Sequence, residues 1–283
     1  SLWFSFFLQG WAILFVPILT LLILPLIDQY VGLQVENLEP DIEESRLFWY
    51  RLITLIWAPI QFITLFGILA LTISADMTLL EKIGLFCAIG VLTGTIGINY
   101  AHELMHKSGK LERWLADSLL AMVLYSHFRS EHLLVHHIHV GTPKDPVTAR
   151  YNESFYSFFN RVLVQCPISA FKAETQKLWR KRLPASHISN PFYMYFSVQL
   201  FMIVLSILIG GFFGLFLFLI QAFVAVLLLE LVNYIEHYGL SRKNLENGKY
   251  EFVQPHHSWN SSYKVSNWVL INLQRHCLLY TSD

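Results

Sequence analysis

Long apolar runs constrain this sequence more than any other feature. Five stretches are almost free of charge, at roughly 3–27, 48–74, 79–100, 192–209 and 212–235. About 20 apolar residues suffice for a helix to cross a bilayer, and in lipid the helix satisfies its own backbone hydrogen bonds. Charged residues make up only 14% of the chain, against about 25% in soluble domains. The sequence therefore predicts an all-α integral membrane protein, a helical bundle with about five spanning helices.

The basic residues predict which side of the membrane the loops occupy. Twelve of the 20 Lys and Arg residues lie in 101–190, and loops rich in these residues stay in the cytoplasm. Gly210 and Gly211 predict a tight turn between the last two spans, so the fifth span returns to that side. We expect 101–190 and 236–276 to form a cytoplasmic, histidine-rich cap of one domain that covers 1–283. The formal net charge of zero argues against a nucleic-acid partner.

The region between the third and fourth spans holds three further features. The stretch 112–128 is apolar but short, and its charges favour a buried or interfacial helix over a span. Residues 138–190 are polar, and TPKDP at 142–146 predicts a turn. The basic run WRKRLP at 179–184 is typical of a solvated face near the membrane. A basic cytoplasmic surface of this kind could also receive an acidic electron carrier.

Seven histidines are distinguished by their spacing or by their neighbours. His102 and His106 are four residues apart, so one face of a helix presents both rings. His132 and His136 repeat that spacing, and His137 adds a ring at the adjacent edge. The remaining two of the seven histidines are His237 in NYIEHYGL and His276 in LQRH. Each lies within a polar motif near the end of the chain.

This set of imidazoles predicts a metal centre. Imidazole is the commonest metal ligand near neutral pH, and a catalytic zinc ion takes only three ligands from the protein. Seven rings at one membrane face therefore favour two ions over one. Nitrogen ligands without thiolates suit iron, copper or zinc, and iron, unlike zinc, has the redox chemistry that attacks an unactivated C–H bond. A bundle embedded in lipid further predicts an apolar substrate that enters from the bilayer.

Polar residues beside these histidines are candidates to orient the rings, because acceptors around a metal-bound imidazole fix its position. The candidates are Glu103, Glu131, Asp145, Asn233, Glu236 and His257. For each acid, a surface carboxylate or a helix ion pair explains the residue equally well. For Asp145, a role in the TPKDP turn is favoured over one at the metal.

Two other classes of protein stay open on the residues alone. HELMH also satisfies HExxH, the motif of zinc peptidases, in which Glu103 would be the catalytic base. That hypothesis leaves the histidines of EHLLVHH, His237 and His276 without a role. A membrane transporter that uses histidines as proton relays is the second alternative, and it predicts no metal.

The chain resembles the membrane-bound alkane 1-monooxygenases, which belong to the histidine-motif diiron class together with the membrane desaturases. The motifs that carry the resemblance are HELMHK, EHLLVHH with the following VGTPKDPVTAR, NYIEHYGL, PHHSWNSS and LQRH. The resemblance implies two non-haem iron ions and terminal hydroxylation of alkanes to 1-alkanols with O2. It also implies electrons from rubredoxin, supplied by rubredoxin reductase, and a site on the cytoplasmic side of the bacterial inner membrane. The implied iron ligands are His102, His106, His132, His136, His137, His237 and His276.

The chain departs from the family pattern at both ends. The family has six spanning helices, one of them before the first span found here. After LQRH the family continues with Ser-Asp-His-His, whereas this chain ends in CLLYTSD at 277–283. We interpret this tail as non-native, because its back-translation resembles a sequencing adapter. If the tail is native, two ligands are missing and the enzyme is expected to be inactive. A related desaturase, or a hydroxylase of another lipid or an aromatic methyl group, is the alternative within the class.

Overall fold

The computed structural model describes residues 2–34, 48–245 and 248–271 and is built of helices. Within these residues extended structure is limited to two isolated bridges, Leu33 with Tyr263 and Asn244 with Tyr250. The chain divides into two compact units. Described residues up to Leu124, together with 198–226 and 262–271, form the first unit, and 125–197 with 227–261 form the second.

Four helices are long and apolar enough to cross a membrane: Gly10–Val31, Phe48–Ser74, Leu79–Met105 and Pro191–His237. We label them α2, α3, α4 and α8. The remaining helices are α1 (Leu2–Leu8), α5 (Lys110–Met122), α6 (residues 128–139), α7 (Phe155–Arg180) and α9 (Lys264–Val269). The prediction of an all-α integral membrane protein is confirmed, and the exposed apolar side chains on the spans are those expected to face lipid.

The first predicted span, 3–27, is divided in the structure. Gln9 and Gly10 have φ of 54° and 51°, a conformation that no helix continues through. The short helix α1 therefore ends at Leu8, and α2 starts at Gly10, whose N–H donates to Glu81 at 3.0 Å. The sequence pattern missed this break because the residues on both sides of it are apolar.

Helix α4 continues beyond the predicted end of the third span at residue 100. Thr78 and Glu81 form a capping box at its start, and the helix then runs to Met105 with a π turn at Thr93–Gly97. The helix continues into HELMHK as expected but ends within it, at Met105, so His102 lies on the helix and His106 is its C-cap residue. One continuous element thus carries His102 from the membrane span towards the site.

Small residues on α4 allow close packing against α8. A Cβ atom added at Gly90 would lie 2.6 Å from Cβ of Val224, and one at Gly94 would lie 2.9 Å from Cα of Ala225. Between them, the Thr93 hydroxyl donates to the side-chain oxygen of Gln221 at 3.1 Å. Such close approach of backbones, with an interhelical hydrogen bond, is how helices associate in lipid.

The long helix α8 is two legs joined by a kink. Gly210 and Gly211 have non-helical backbone angles, and Gly211 has a φ of 61°. The legs, 191–209 and 212–237, agree with the two predicted spans, 192–209 and 212–235. The tight turn predicted at these glycines is confirmed, and five apolar helical segments result from four continuous helices.

The region between α4 and α8 contains more helix than the sequence predicted. Helix α5 covers most of the stretch expected at 112–128, and it is not among the candidate spans. Helix α7, of 26 residues, was missed inside the polar stretch 138–190. Its internal Pro167 and polar surface hid a buried stripe with a spacing of four residues, Phe158, Val162, Cys166 and Ala170.

Candidate metal centre

The last turn of α4 brings two imidazoles together in the first unit. The Nε2 atoms of His102 and His106 are 3.4 Å apart, and the ring centroids are 4.7 Å apart. This is the contact that the i, i+4 spacing predicts on an α-helix. His102 is buried. Burial, with the nearby charge of Lys107, lowers the pKa of His106 to about 4, so the His106 ring stays neutral and suited to a cation.

Glu103 does not contribute to that pair in the way the sequence suggested. Its carboxylate forms an ion pair with the ammonium of Lys107 at 2.7 Å, one turn further along the helix. The helix ion pair, which the sequence allowed as an alternative, is the contact that the structure contains. A zinc peptidase would instead need Glu103 free to act as a base, so this contact counts against the HExxH hypothesis.

In the second unit, a π turn assembles the histidines of EHLLVHH. Residues His132–His136 form the π turn of α6, in which residues five apart come into register. Nε2 of His132 therefore lies 2.8 Å from Nε2 of His137, and not on the adjacent edge as predicted from α-helical spacing. The His136 ring lies 5.2 Å from that of His132 and 4.8 Å from that of His237. We call these four residues the four-histidine cluster.

Asp145 orients one ring of the four-histidine cluster. Its Oδ2 accepts a hydrogen bond from Nδ1 of His136 at 3.0 Å. Its Oδ1 accepts from the Val147 N–H, and Oδ2 also accepts from Thr148, so the turn role holds as well. Burial disfavours charge on either group, but their attraction raises the pKa of His136 to about 9 and lowers that of Asp145. The bond at Nδ1 fixes the ring, so a cation would bind at Nε2 and displace the proton there.

Arg161 fixes the loop that carries Asp145, and sequence reasoning did not identify it. Its guanidinium makes a bidentate ion pair with Glu153, at 2.8 and 2.7 Å. It also donates to the backbone carbonyls of Pro146 and Thr148, which follow Asp145 in the chain. Planar, five-donor recognition of this kind is particular to arginine. No motif marks this residue, because its partners come from a loop whose path the sequence does not reveal.

The end of α8 places further polar groups around His237. His237 is buried, and its Nδ1 has no hydrogen-bond partner among the described residues. Asn233 donates to buried Glu230 at 3.1 Å, and Tyr125 donates to the same carboxylate at 2.8 Å. Glu236 accepts from Ser258 at 3.0 Å. Asn233 and Glu236 were predicted to orient ligand rings. The hydrogen bonds described above instead join them to Glu230 and Ser258.

His257 is bonded within its own loop. Its Nδ1 accepts the N–H of Gln254 at 2.8 Å, and its Nε2 lies 3.2 Å from Glu251. The ring is thus protonated on Nε2 and donates to Glu251, so neither nitrogen is left for a metal. Glu251, His256 and His257 are close enough to hold an ion, but these bonds describe a structural clasp of the loop. His276 and the tail 277–283 lie outside the described residues.

The nitrogen spacings in the two histidine groups are close to those of a metal site. Two nitrogens bound about 2.1 Å from one ion, at about 90–110° to each other, lie about 3.0–3.4 Å apart. The His102 and His106 nitrogens, at 3.4 Å, lie within this range, and those of His132 and His137, at 2.8 Å, lie slightly below it. The unpartnered Nδ1 of buried His237 is a further nitrogen without a protein acceptor. The donors are imidazoles supported by a carboxylate, a set that suits iron, copper or zinc.

Histidine groups of this kind in a helical membrane protein are typical of a class of membrane oxidoreductases. Comparison of this sequence with known proteins agrees with that class. Residues 82–278 match the fatty acid desaturase family. Alkane 1-monooxygenase 2 of Pseudomonas aeruginosa is 37% identical over 264 residues, covering 90% of this chain and 68% of the relative. Alkane 1-monooxygenase 2 of Alcanivorax borkumensis is also 37% identical, covering 90% and 67%.

A more distant relative is the xylene/toluene monooxygenase hydroxylase component of Pseudomonas putida. It is 31% identical over 185 residues, covering 64% of this chain and 48% of the relative. The chain therefore belongs to the alkane 1-monooxygenase family, within the wider fatty acid desaturase family. It is a monooxygenase of the membrane.

Proposed function

We propose that this protein hydroxylates the terminal carbon of alkanes to give 1-alkanols, with O2 as the oxidant and rubredoxin as the electron donor. The observation that carries the proposal is the pair of nitrogen-only histidine groups at ligand spacing in a chain of the alkane 1-monooxygenase family. Rubredoxin would in turn be reduced by rubredoxin reductase.

The proposed metal is a pair of non-haem iron ions. The proposed ligands are His102, His106, His132, His136, His137, His237 and His276. When bound, iron supplies the O2 chemistry that an unactivated C–H bond requires and that zinc lacks. The chain's own residues hold the rings in place: Asp145 orients His136, and Arg161 holds the Asp145 loop.

The substrate reaches the site from the membrane, and the site lies on the cytoplasmic side of that membrane. An alkane partitions into the bilayer, so a site built at the ends of spanning helices meets its substrate from lipid. The concentration of basic residues in 101–190 supports a cytoplasmic site in the bacterial inner membrane. A soluble electron carrier can reach the site from that side.

Product analysis tests the proposal. Membranes that contain the full chain receive n-alkanes of medium and long chain length, rubredoxin, its reductase, NADH and ¹⁸O2. We expect labelled 1-alkanols by gas chromatography and mass spectrometry, and iron near two atoms per folded chain. Products hydroxylated only at internal carbons, or unsaturated acyl lipids without alkanols, would contradict it. Zinc near one per chain with peptide cleavage would favour the peptidase instead.

Hydroxylation of an aromatic methyl group is the second candidate. The likeness to the xylene/toluene monooxygenase component supports it, at lower identity and coverage than the alkane 1-monooxygenases. Adding p-xylene to the same assay separates the two candidates. Turnover of p-xylene well above that of every alkane would favour the second.

A further inference from the structure

Helix α7 carries a row of apolar side chains that stay exposed among the described residues. The row consists of Val164, Ile168, Phe171 and Trp179, which are 43–63% exposed. Val164, Ile168 and Phe171 follow the spacing of one helix face, and Trp179 lies about three turns beyond Ile168 on that face. We call these four residues the outer row. Single exposed apolar residues are common at a protein surface, whereas a contiguous row of them usually marks an interaction site.

Two other rows give α7 three different faces. Phe158, Val162, Cys166 and Ala170 are buried inside the unit. The polar row consists of Gln165, Ser169, Lys172 and Gln176, and none of them is buried. Its first three members each follow a member of the outer row, so the polar row lies about 100° further around the helix. A solvated surface helix has one apolar face, directed to the core, so the outer row needs a second apolar environment.

The outer row is continuous with the surface of a membrane span. The rings of Phe171 and Phe192 meet edge to face, with centroids 5.2 Å apart, and Phe192 lies in the first turn of α8. The Phe192 ring in turn lies 6.3 Å from that of Phe196, which is 68% exposed on the same span. Because exposed side chains of a spanning helix face lipid, the outer row and the lipid-facing surface of α8 form one apolar surface around Phe192.

The contact with Phe192 places α7 at the boundary of the membrane. Phe171 meets α8 one residue after Pro191, where the span begins. Helix α7 is 26 residues long, but it is not among the helices apolar enough to cross the bilayer. An amphipathic helix at this position lies in the plane of the interface, with its apolar face about 5–10 Å inside the acyl boundary. Trp179 suits that depth, since tryptophan is enriched where lipid meets water.

We propose that the outer row of α7 binds bilayer lipid, with its side chains among the acyl chains of the leaflet that α8 enters at Pro191. The polar row then faces water, and the buried row holds the helix to its unit. This inference goes beyond the proposed function and does not depend on it, because it requires only that α8 spans the membrane.

Photocrosslinking of the full chain in liposomes tests the proposal. p-Benzoylphenylalanine replaces one residue at a time, Val164 or Ile168 in the outer row and Gln165 or Lys172 in the polar row. Val164 and Gln165 are neighbours and both exposed, so they are matched in accessibility and differ in the face they occupy. The liposomes contain phosphatidylethanolamine and phosphatidylglycerol. Mass spectrometry of the irradiated protein measures lipid adducts, and replacement of Phe196 is the positive reference.

We expect lipid adducts at Val164 and Ile168 in yields close to that at Phe196. The yield at Gln165 and Lys172 should be several-fold lower, because photoexcited benzophenone attacks C–H bonds and the polar row faces water. All four positions are exposed, so the fold should accept the bulky ring. Elution of each variant like the wild type on size exclusion checks this.

Three results would overturn the inference. Yields at Val164 and Ile168 as low as those at Gln165 and Lys172, with Phe196 labelled, would show that the outer row does not contact lipid. Equally high yields at all four positions would show that α7 lies wholly within lipid. Crosslinks between two chains, in place of lipid adducts, would assign the outer row to a second copy of the protein. None of these results depends on alkane hydroxylation, so the proposed function stands or falls separately.

Discussion

The two histidine motifs present the same spacing and yet arrange their rings by different helical geometries. His102 and His106 lie on an α-helical turn, and their Nε2 atoms are 3.4 Å apart. His132 and His136 have the same separation in sequence, but they lie on a π turn, and the close contact at 2.8 Å is between His132 and His137. Spacing alone therefore does not identify which rings meet, because the type of helical turn decides it.

The surroundings of the two groups differ as well. Beside the α4 pair, the adjacent carboxylate of Glu103 is bonded to a surface ammonium. In the four-histidine cluster, Asp145 is fully buried, binds an imidazole, and sits in a loop held by Arg161. The pair is positioned by its own helix, whereas the cluster also depends on contacts from the loop that follows α6. Four experiments are given in order of decreasing expected effect; three test this contrast, and one tests the docking of an electron carrier.

Removing one partner of the π-turn contact should have the largest effect. His137→Ala should reduce alkane hydroxylation by more than about 100-fold, beyond the range of 10–100-fold for residues that only orient a ligand. Iron content should fall with it. His139→Ala, on the same helix but outside the cluster, should retain most activity and metal. Full iron content in His137→Ala would show that the 2.8 Å contact is not a ligand pair.

Loss of the carboxylate that orients His136 should come next. Asp145→Asn should lower metal affinity by about 10–100-fold, because the hydrogen bond that fixes the ring is weakened. Thr148→Val removes another hydrogen bond to the same carboxylate and leaves the imidazole bond intact, so its metal affinity should change little. Equal losses in the two variants would mean that Asp145 acts through the turn and not through the ring.

Charge reversal on the exposed end of α7 tests the docking of an electron carrier. Glu substitution at Arg180, Lys181 or Arg182 should slow reduction by an acidic rubredoxin up to about 10-fold at low ionic strength, and salt should reduce the difference. Lys82→Glu, outside the basic segment, is the control and should behave as wild type. Stopped-flow kinetics measure the rate of reduction by rubredoxin. Unchanged reduction rates in all three variants would show that rubredoxin does not dock on this surface.

The smallest effect is expected at Glu103. Because its ion pair with Lys107 lies at the surface, Glu103→Gln should cost less than about 1 kcal/mol of stability and change hydroxylation by less than about 2-fold. A thermal melt and the alkanol assay check this. In a zinc peptidase Glu103 is the catalytic base, so a peptidase activity that is present in the wild type and lost in Glu103→Gln would restore the HExxH hypothesis.

The sequence predicted the parts of the fold that depend on local composition. Apolar length placed the spans, and adjacent glycines placed the kink of α8, because lipid leaves the backbone few alternatives. The break at Gln9 and Gly10 was missed, since backbone angles change there without a change in hydrophobicity. Helix α7 was missed because Pro167 and its polar face obscure the stripe that packs inside the unit.

The site was predictable in its residue types and less so in its contacts. The expectation of His102 beside His106 follows from α-helical spacing and agrees with the structure. The π turn could not be read from EHLLVHH, since nothing in those letters requires an extra residue per turn. Asp145 serves both the turn and His136, two roles that the sequence treated as competing. The metal role of the seven histidines stays a prediction.

Asp28, at the end of α2, accepts the backbone N–H groups of Val265 and Ser266 at the start of α9. Positions 237 residues apart are thereby tied at one joint, and α9 is the last described helix before LQRH. Helix α2 thus anchors α9. The substitution Asp28→Ala is therefore expected to loosen α9, because it removes the acceptor of these N–H groups.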